Sequence, residues 1–165
     1  MKLHWIATIG LALLASASAQ TVTFNLDSLA AKAKEKAEVT LEGSLLTQAL
    51  QKAPDQVKGA IANVSRLIVR HYEFDKPGQY ANTDLDPVRK QISSWPRVFN
   101  VKDERESVEI YMSTGPDGKP AGFLLIAAEP KELTVVQIVG SIDLTNLAEV
   151  VKSTIHYDMK GAGGQ

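Results

Sequence analysis

Four β-prone segments follow one another in the second half of the chain, and the short turn sequences between them strongly constrain the fold. The segments run from about Arg97 to Val101, Ser107 to Ser113, Ala121 to Ala128 and Leu133 to Val139. Connections this short join antiparallel neighbours, whereas parallel neighbours need a crossover of a dozen residues or more. The sequence therefore predicts an antiparallel β-meander.

The strand patterns also indicate which faces of the sheet are buried. Residues Phe123 to Ile126 are apolar without alternation, as expected for a central strand that is covered on both faces. The preceding strand alternates, so we expect Ile110 on its buried face and Glu109 and Tyr111 on a partly solvated one. Before the meander, Arg66 to Phe74 predicts one long additional strand that ends at a turn.

Five segments carry apolar residues three or four positions apart, the spacing typical of an amphipathic helix. They are Leu26 to Ala37, a helix from Ser44 to about Leu50, Val57 to Val64, Leu85 to Ile92, and a helix that begins at Asp143. Thr83 or Asp86 is a candidate cap of the fourth helix. Ile142 and Leu147 are placed to form a hydrophobic staple at the start of the last one. A short β-prone segment, Glu38 to Leu41, lies between the first two.

These elements predict a single α+β domain. We expect an antiparallel β-meander sheet of about five strands, with the helices packed mainly on one face. Because the central strand is apolar on both faces, we also expect the N-terminal helical segment to cover part of the second face.

The N-terminus has the three parts of a secretory signal peptide. Lys2 is followed by an apolar stretch, Trp5 to Leu14, and by small residues at Ala17 and Ala19. As a helix, about ten residues span roughly 15 Å, half of the roughly 30 Å hydrocarbon core of a bilayer. We therefore predict a cleavable signal at residues 1–19, a mature chain that begins at Gln20, and export to the periplasm of a Gram-negative cell or beyond it.

Composition narrows the classes of partner. The chain has no cysteine, so neither a disulfide nor a lipid-bearing cysteine is available, and the apolar core alone must stabilise the domain. The full chain has 18 basic and 19 acidic residues, and removing Lys2 with the signal leaves 17 and 19, a formal charge of −2. This balance gives no long-range attraction for nucleic acid or anionic lipid.

We expect one domain over residues 20–155 and a flexible tail over 156–165.

Several stretches resemble a known family. The segment Ala127 to Leu144 is similar to the signature hairpin of the exported bacterial family called domain of unknown function 4252 (DUF4252), and three further stretches resemble it: Val39 to Leu46, Tyr72 to Asp75 and Ser107 to Tyr111. The resemblance implies a small signal-bearing protein of Gram-negative bacteria. Some such proteins are encoded near extracytoplasmic-function sigma factors and their regulators, so the implied partner is an envelope protein or a regulatory component. The family has no established reaction and no assigned functional residues.

One group of side chains is a candidate for acid–base chemistry or metal binding. His71, Glu73 and Asp75 alternate along the long predicted strand and would point to the same side. The alternative interpretation is that the two carboxylates mark the exit of the strand into solvent, with His71 at the edge of the core. The mature chain has only one other histidine, His156, and lacks a recognisable nucleophile motif. We therefore expect no cofactor and no metal.

The aromatic residues Trp95, Tyr80 and Phe99 suggest a different kind of site. They are close in sequence and could form an exposed recognition patch, or they could cover one end of the core. With no complete catalytic set, the sequence favours a non-catalytic binding or regulatory module in the envelope. The competing hypothesis is a periplasmic hydrolase or metal-binding enzyme centred on His71, Glu73 and Asp75.

Overall fold

The computed structural model describes residues 21–60 and 62–142. The predicted signal peptide, with its cleavage site at Ala17, Ala19 and Gln20, lies outside the described residues, as do the predicted helix from Asp143 and the tail from residue 156. No helix in the described ranges is long and apolar enough to cross a membrane.

The described residues form an open antiparallel sheet of six strands with short helices. The strands are β1 Glu35–Glu42, β2 Asn63–Glu73, β3 Arg97–Lys102, β4 Ser107–Thr114, β5 Pro120–Ala128 and β6 Glu132–Ser141. Their order is β1-β2-β6-β5-β4-β3, so β1 and β3 are the edges. The predicted α+β class and the meander from β3 to β6 are confirmed. The sixth strand arises because the β-prone segment around Val39 is part of a full strand, β1.

Three of the four helices in the described residues are shorter than the apolar spacing predicts, whereas the helix predicted from Ser44 to about Leu50 is longer. The four helices are α1 Asp27–Lys32, α2 Gly43–Lys52, α3 Asp55–Ala60 and α4 Asp86–Gln91, the last preceded by one 3₁₀ turn at Asn82–Leu85. The predicted extension of α1 to Ala37 is wrong, because the Lys34 amide donates to the Glu73 carbonyl (2.7 Å) and the chain then pairs with β2. Sheet pairing overrides helical periodicity here.

The start of β2 also differs from the sequence prediction. Val64 was expected in a helix, but it lies in the strand opposite Gly140, just before a bulge. Gly140 has a φ of +132°, and a Cβ there would lie 2.3 Å from the Asn63 carbonyl oxygen. Only glycine permits this close approach of the two backbones.

The register divides the sheet into two faces, because directly paired residues of antiparallel strands point to the same side. The first face carries the main core, which includes Leu124 and Val135, both 0% exposed. The 21–33 segment packs there through Leu29, and α4 packs there through Val88. The expectation that the N-terminal segment covers the second face is therefore wrong: it shares the first face with α4.

The second face has a smaller buried cluster of Ile110, Phe123 and Ile142. Partly buried apolar residues pack against this cluster: Val64, Val108, Met112, Leu125 and Ile138. The predicted central position of β5 is confirmed, since it lies between β6 and β4 and contributes Leu124 to one face and Phe123 to the other.

Candidate functional site

In the structure, the three residues of the predicted acid–base group lie at the end of β2 and just beyond it. His71 and Glu73 lie on the second face, where His71 Nδ1 is 2.9 Å from the Thr134 hydroxyl. Asp75 lies beyond β2 and is exposed. Within residues 21–60 and 62–142, no three histidine, aspartate or glutamate side chains are close enough together to hold a metal ion. The second mature-chain histidine, His156, lies outside the described residues.

The three aromatic candidates are divided between the two faces of the sheet. Trp95 is 7% exposed and belongs to the first-face core. Tyr80 also packs against that core and stacks on Phe74, with ring centroids 4.8 Å apart. Phe99 is 46% exposed and pairs with Ile110, which places it on the second face. The three side chains therefore do not form one patch.

A polar pocket lies where the first face reaches the β3 edge, and sequence reasoning missed it. It has a volume of about 430 Å³, and Tyr80, Glu129 and Pro130 contribute to its walls. We call it the polar pocket and define it by the polar side chains that line it: Tyr80, Asn82, Arg97, Asn100, Lys102, Ser107, Glu109 and Glu129. A concave site of this size can enclose a small molecule.

The floor of the polar pocket is formed by every second side chain of β3 and β4. Asn100 pairs with Glu109, and Lys102 pairs with Ser107, so all four side chains point to the first face. Towards the centre of the sheet the same face is apolar and covered by α4. The covering layer does not extend to Lys102, which is exposed, and the polar edge is therefore accessible.

Glu109 is the one buried carboxylate of the polar pocket, at 8% exposure. Arg89 of α4 donates to it from Nη2 (3.1 Å) and Nε (3.4 Å), and the Tyr111 hydroxyl donates to the same carboxylate. Arg89 also donates to Asn82, to its carbonyl oxygen at 2.9 Å and its side-chain oxygen at 2.7 Å. The arginine thus fixes α4, the 3₁₀ turn and β4 relative to one another.

The hydrogen bonds and charges around Glu109 determine its protonation state. Burial raises its pKa, but the hydrogen bonds from Tyr111 and Arg89 and the positive charges of Arg89 and Arg97 outweigh burial and hold the pKa below its ordinary value. Burial also raises the pKa of Tyr111, and the hydrogen bond to Glu109 raises it further. At neutral pH the site therefore contains a carboxylate neutralised by Arg89 and a neutral phenol.

Tyr80 closes the polar pocket against the β5–β6 turn. Its hydroxyl donates to the Glu129 carbonyl oxygen and lies 3.0 Å from that of Glu132. Burial, together with the Glu129 carboxylate, raises the pKa of Tyr80 to about 12. The Tyr80 side chain is therefore uncharged at neutral pH and tied to the turn that carries Pro130.

Two cations of the polar pocket form no salt bridge with any described residue. Among the described residues, neither Arg97 nor Lys102 has an acidic oxygen within 4.0 Å, in contrast to Arg89. Ser107 has no imidazole beside it, because His71, the only histidine in the described ranges, lies on the second face. The arrangement can attract and hydrogen-bond an anion, but it has no activated nucleophile.

The sequence contains a partial signal for this site. The alternation of β4 predicted Glu109 and Tyr111 on a partly solvated face, yet Glu109 is buried because Arg89 packs over it from another element. A glutamate and a tyrosine two residues apart on a strand share one face, which is the observable hint. Their partner, 20 residues earlier on a helix, cannot be identified from spacing.

The chain was compared with curated proteins, solved structures and protein-family models. No curated protein and no solved structure matches the chain. The family model described as Domain of unknown function (DUF4252) matches residues 30–150, a range that contains all six strands and the polar pocket. The chain therefore belongs to the DUF4252 family.

Proposed function

We propose that the mature chain is an exported, non-catalytic binding module and that the polar pocket is its site for a small organic anion. The observation that carries this proposal is the division of charge in the pocket. Arg89 neutralises Glu109, whereas Arg97 and Lys102 have no acidic oxygen within 4.0 Å among the described residues, although the exposed Glu129 also lines the pocket. A ligand carboxylate or phosphate would supply the missing countercharge.

The size and polarity of the pocket support a small ligand. A volume of about 430 Å³ falls within the roughly 300 to 1,000 Å³ of typical small-molecule sites. Asn100 and Ser107 add neutral hydrogen-bonding groups on the floor, and the buried Arg89–Glu109 pair pre-organises the wall before any ligand arrives. A pre-organised wall reduces the ordering cost of binding.

The absence of an activated group favours binding over catalysis. Glu109 accepts hydrogen bonds from Arg89 and Tyr111, and its lowered pKa makes it a weak base. No observation favours the competing hydrolase centred on His71, Glu73 and Asp75, whose side chains do not converge. In the envelope, the ligand-bound chain would contact a protein partner, such as a regulatory component.

Calorimetric titration of the mature chain tests the proposal, with citrate and inorganic phosphate as anionic probes and glucose as a neutral one. We expect at least one anion to bind, glucose not to bind, and the double variant Arg97→Ala/Lys102→Ala to weaken anion binding at least ten-fold, about 1.4 kcal/mol. The matched control is Lys36→Ala on the opposite edge strand, which should bind as the wild type does.

Two results would contradict the proposal. One is that neither anion binds the folded mature chain. The other is that the double variant binds an anion as tightly as the wild type, which would place the anion outside the polar pocket. Circular dichroism of each variant separates loss of binding from loss of fold.

A further inference from the structure

The second face carries an apolar row that crosses all six strands. Successive members of the row are direct cross-strand partners: Val39, Val69, Val136, Leu125, Ile110 and Phe99. With strands about 4.8 Å apart, the row is roughly 24 Å long. Its two ends are exposed, Val39 at 41% and Phe99 at 46%. Within the row, Ile110 is only 7% exposed. A continuous apolar row of this extent is unusual on the open face of a monomeric domain in water.

The described helices do not form a layer over this row. The 21–33 segment and α4 pack on the first face. α2 contacts β1 and β2, and none of the residues that make up the second-face cluster lies in a described helix. Between β6 and β3, the described part of the chain thus leaves the row without a packed layer.

Ile142 indicates where the chain goes after β6. It is the last described residue, it is 3% exposed, and it packs with Ile110 of β4 and Phe123 of β5. The backbone therefore leaves the central strand on the side of the second face, directed towards the β5–β4 half of the row. No linker separates this point from the remaining 23 residues, 143–165.

The sequence after Ile142 is complementary to this apolar surface. Apolar residues recur three or four positions apart: Leu144, Leu147, Ala148, Val151 and Ile155. Asp143 precedes them, and the residues between them include Asn146, Glu149 and Lys152, so one side is apolar and the other is polar apart from Val150. As a helix, residues 143–155 would be about 20 Å long, close to four strand spacings of about 4.8 Å.

We infer that the second face is the docking site of residues 143–155 of the same chain, which form an amphipathic helix over β5, β4 and β3. A second copy or a membrane is a weaker candidate, because a segment joined directly to the edge of the cluster has a far higher effective concentration. The inference rests on the sheet register and Ile142, and it is independent of the function proposed for the polar pocket.

Cysteine pairs test the docking, since the chain contains no cysteine of its own. In the full mature chain, Leu125→Cys is combined with Leu147→Cys or Val151→Cys, which lie on the apolar side of the segment. The matched controls combine Leu125→Cys with Asn146→Cys or Ser153→Cys on the polar side. Under mild oxidation we expect intrachain disulfides to form at least ten-fold faster in the first pair of variants.

Two outcomes would overturn the inference. Equal rates for the apolar and polar positions would mean that the segment has no fixed orientation on the face. Mainly intermolecular disulfides would mean that a second copy covers the row instead.

A single substitution gives a readout that does not depend on cysteine geometry. We expect Leu147→Asp to increase the fluorescence of a hydrophobic dye several-fold and Asn146→Asp to leave it unchanged, because only the former places a charge against the row. Equal dye binding by the two variants would overturn the inference. Anion binding at the polar pocket should be the same in both, since the pocket lies on the first face.

Discussion

The two faces of the sheet differ in how completely the described residues cover their apolar side chains. On the first face, Leu124 of β5 is 0% exposed, and so are Leu29 and Val88 of the N-terminal segment and α4, which form the layer over this face. On the second face, Val39 and Phe99 remain more than 40% exposed although they belong to one continuous apolar row. The apolar pattern of a strand therefore indicates that a face can be covered, but the covering element must be found elsewhere in the chain.

The largest expected effect comes from the packed face. Leu124→Ala would remove a side chain with 0% exposure beneath the helical layer, and we expect it to lower the free energy of unfolding by about 3 kcal/mol. Chemical denaturation monitored by Trp95 fluorescence measures this loss. A loss below about 1 kcal/mol would mean that the first face is less tightly packed than the structure indicates.

The next effect tests the polar edge of the same face. Arg89→Ala would leave the Glu109 carboxylate, whose side chain is 11% exposed, without its charged partner. We expect the free energy of unfolding to fall by about 2 kcal/mol, less than for a fully buried pair because both side chains retain some solvent contact. Lys90→Ala on the next residue of α4 is the control and should change little. Equal losses in the two variants would show that the pairing with Glu109 does not stabilise the domain.

The pH dependence of stability tests the same Arg89–Glu109 pair. Because the folded-state pKa of Glu109 is lowered, its stabilising contribution is fully present above the unfolded pKa of about 4.3 and is lost as the pH falls through the lower folded-state pKa. We expect Glu109→Gln to be less stable than the wild type at neutral pH, with the difference shrinking on acidification below about 4.3. The exposed Glu104→Gln is the control. A difference that stays constant with pH would contradict the assignment.

A smaller effect is expected on the second face. Val39→Ala removes a side chain that is already 41% exposed at the β1 edge, beyond the strands that the docked segment is inferred to cover. We expect a loss of only a few tenths of a kcal/mol, as for surface substitutions in general. The same denaturation assay measures it against Leu124→Ala. A loss comparable to that of Leu124→Ala would mean that the covered area extends to β1.

The smallest expected effect separates binding from catalysis. His71→Ala/Glu73→Ala/Asp75→Ala changes second-face and turn positions, so anion binding at the first-face pocket should be unchanged. With p-nitrophenyl acetate as the probe, we expect the wild type and the triple variant to hydrolyse the ester at the same background rate. Hydrolysis by the wild type that disappears in the folded triple variant would revive the hydrolase hypothesis.

The meander was predictable because each of its strands carries a clear apolar pattern between turn sequences. β1 was only partly predictable: residues 37–42 alternate between apolar and polar side chains, but the strand begins with the charged Glu35 and Lys36, and nearly all of its residues are exposed. The helical spacing before it extended past Lys32, and only the backbone pairing with β2 determines where the helix ends. Local patterns therefore predicted the strands with a buried face better than the edge.

The site was less predictable than the fold, for a physical reason. Amphipathicity shows that the 21–33 segment has one apolar side, but it does not show which face of the sheet that side covers. The same limit hides the Arg89–Glu109 pair, because two residues on different elements meet only after α4 has docked. The predicted group at His71, Glu73 and Asp75 relied on spacing within one strand, and such spacing alone does not bring side chains together.

The edge position of β3 has a consequence for handling the protein. Its outer backbone is unpaired by any other described strand, and Val98, Phe99 and Val101 are all more than 40% exposed along it. Arg97 and Lys102 stand at the two ends of this apolar tract and act as charged gatekeepers against strand addition by another molecule. We therefore expect variants that neutralise these two residues to associate more readily than the wild type, and such variants should be studied at low concentration.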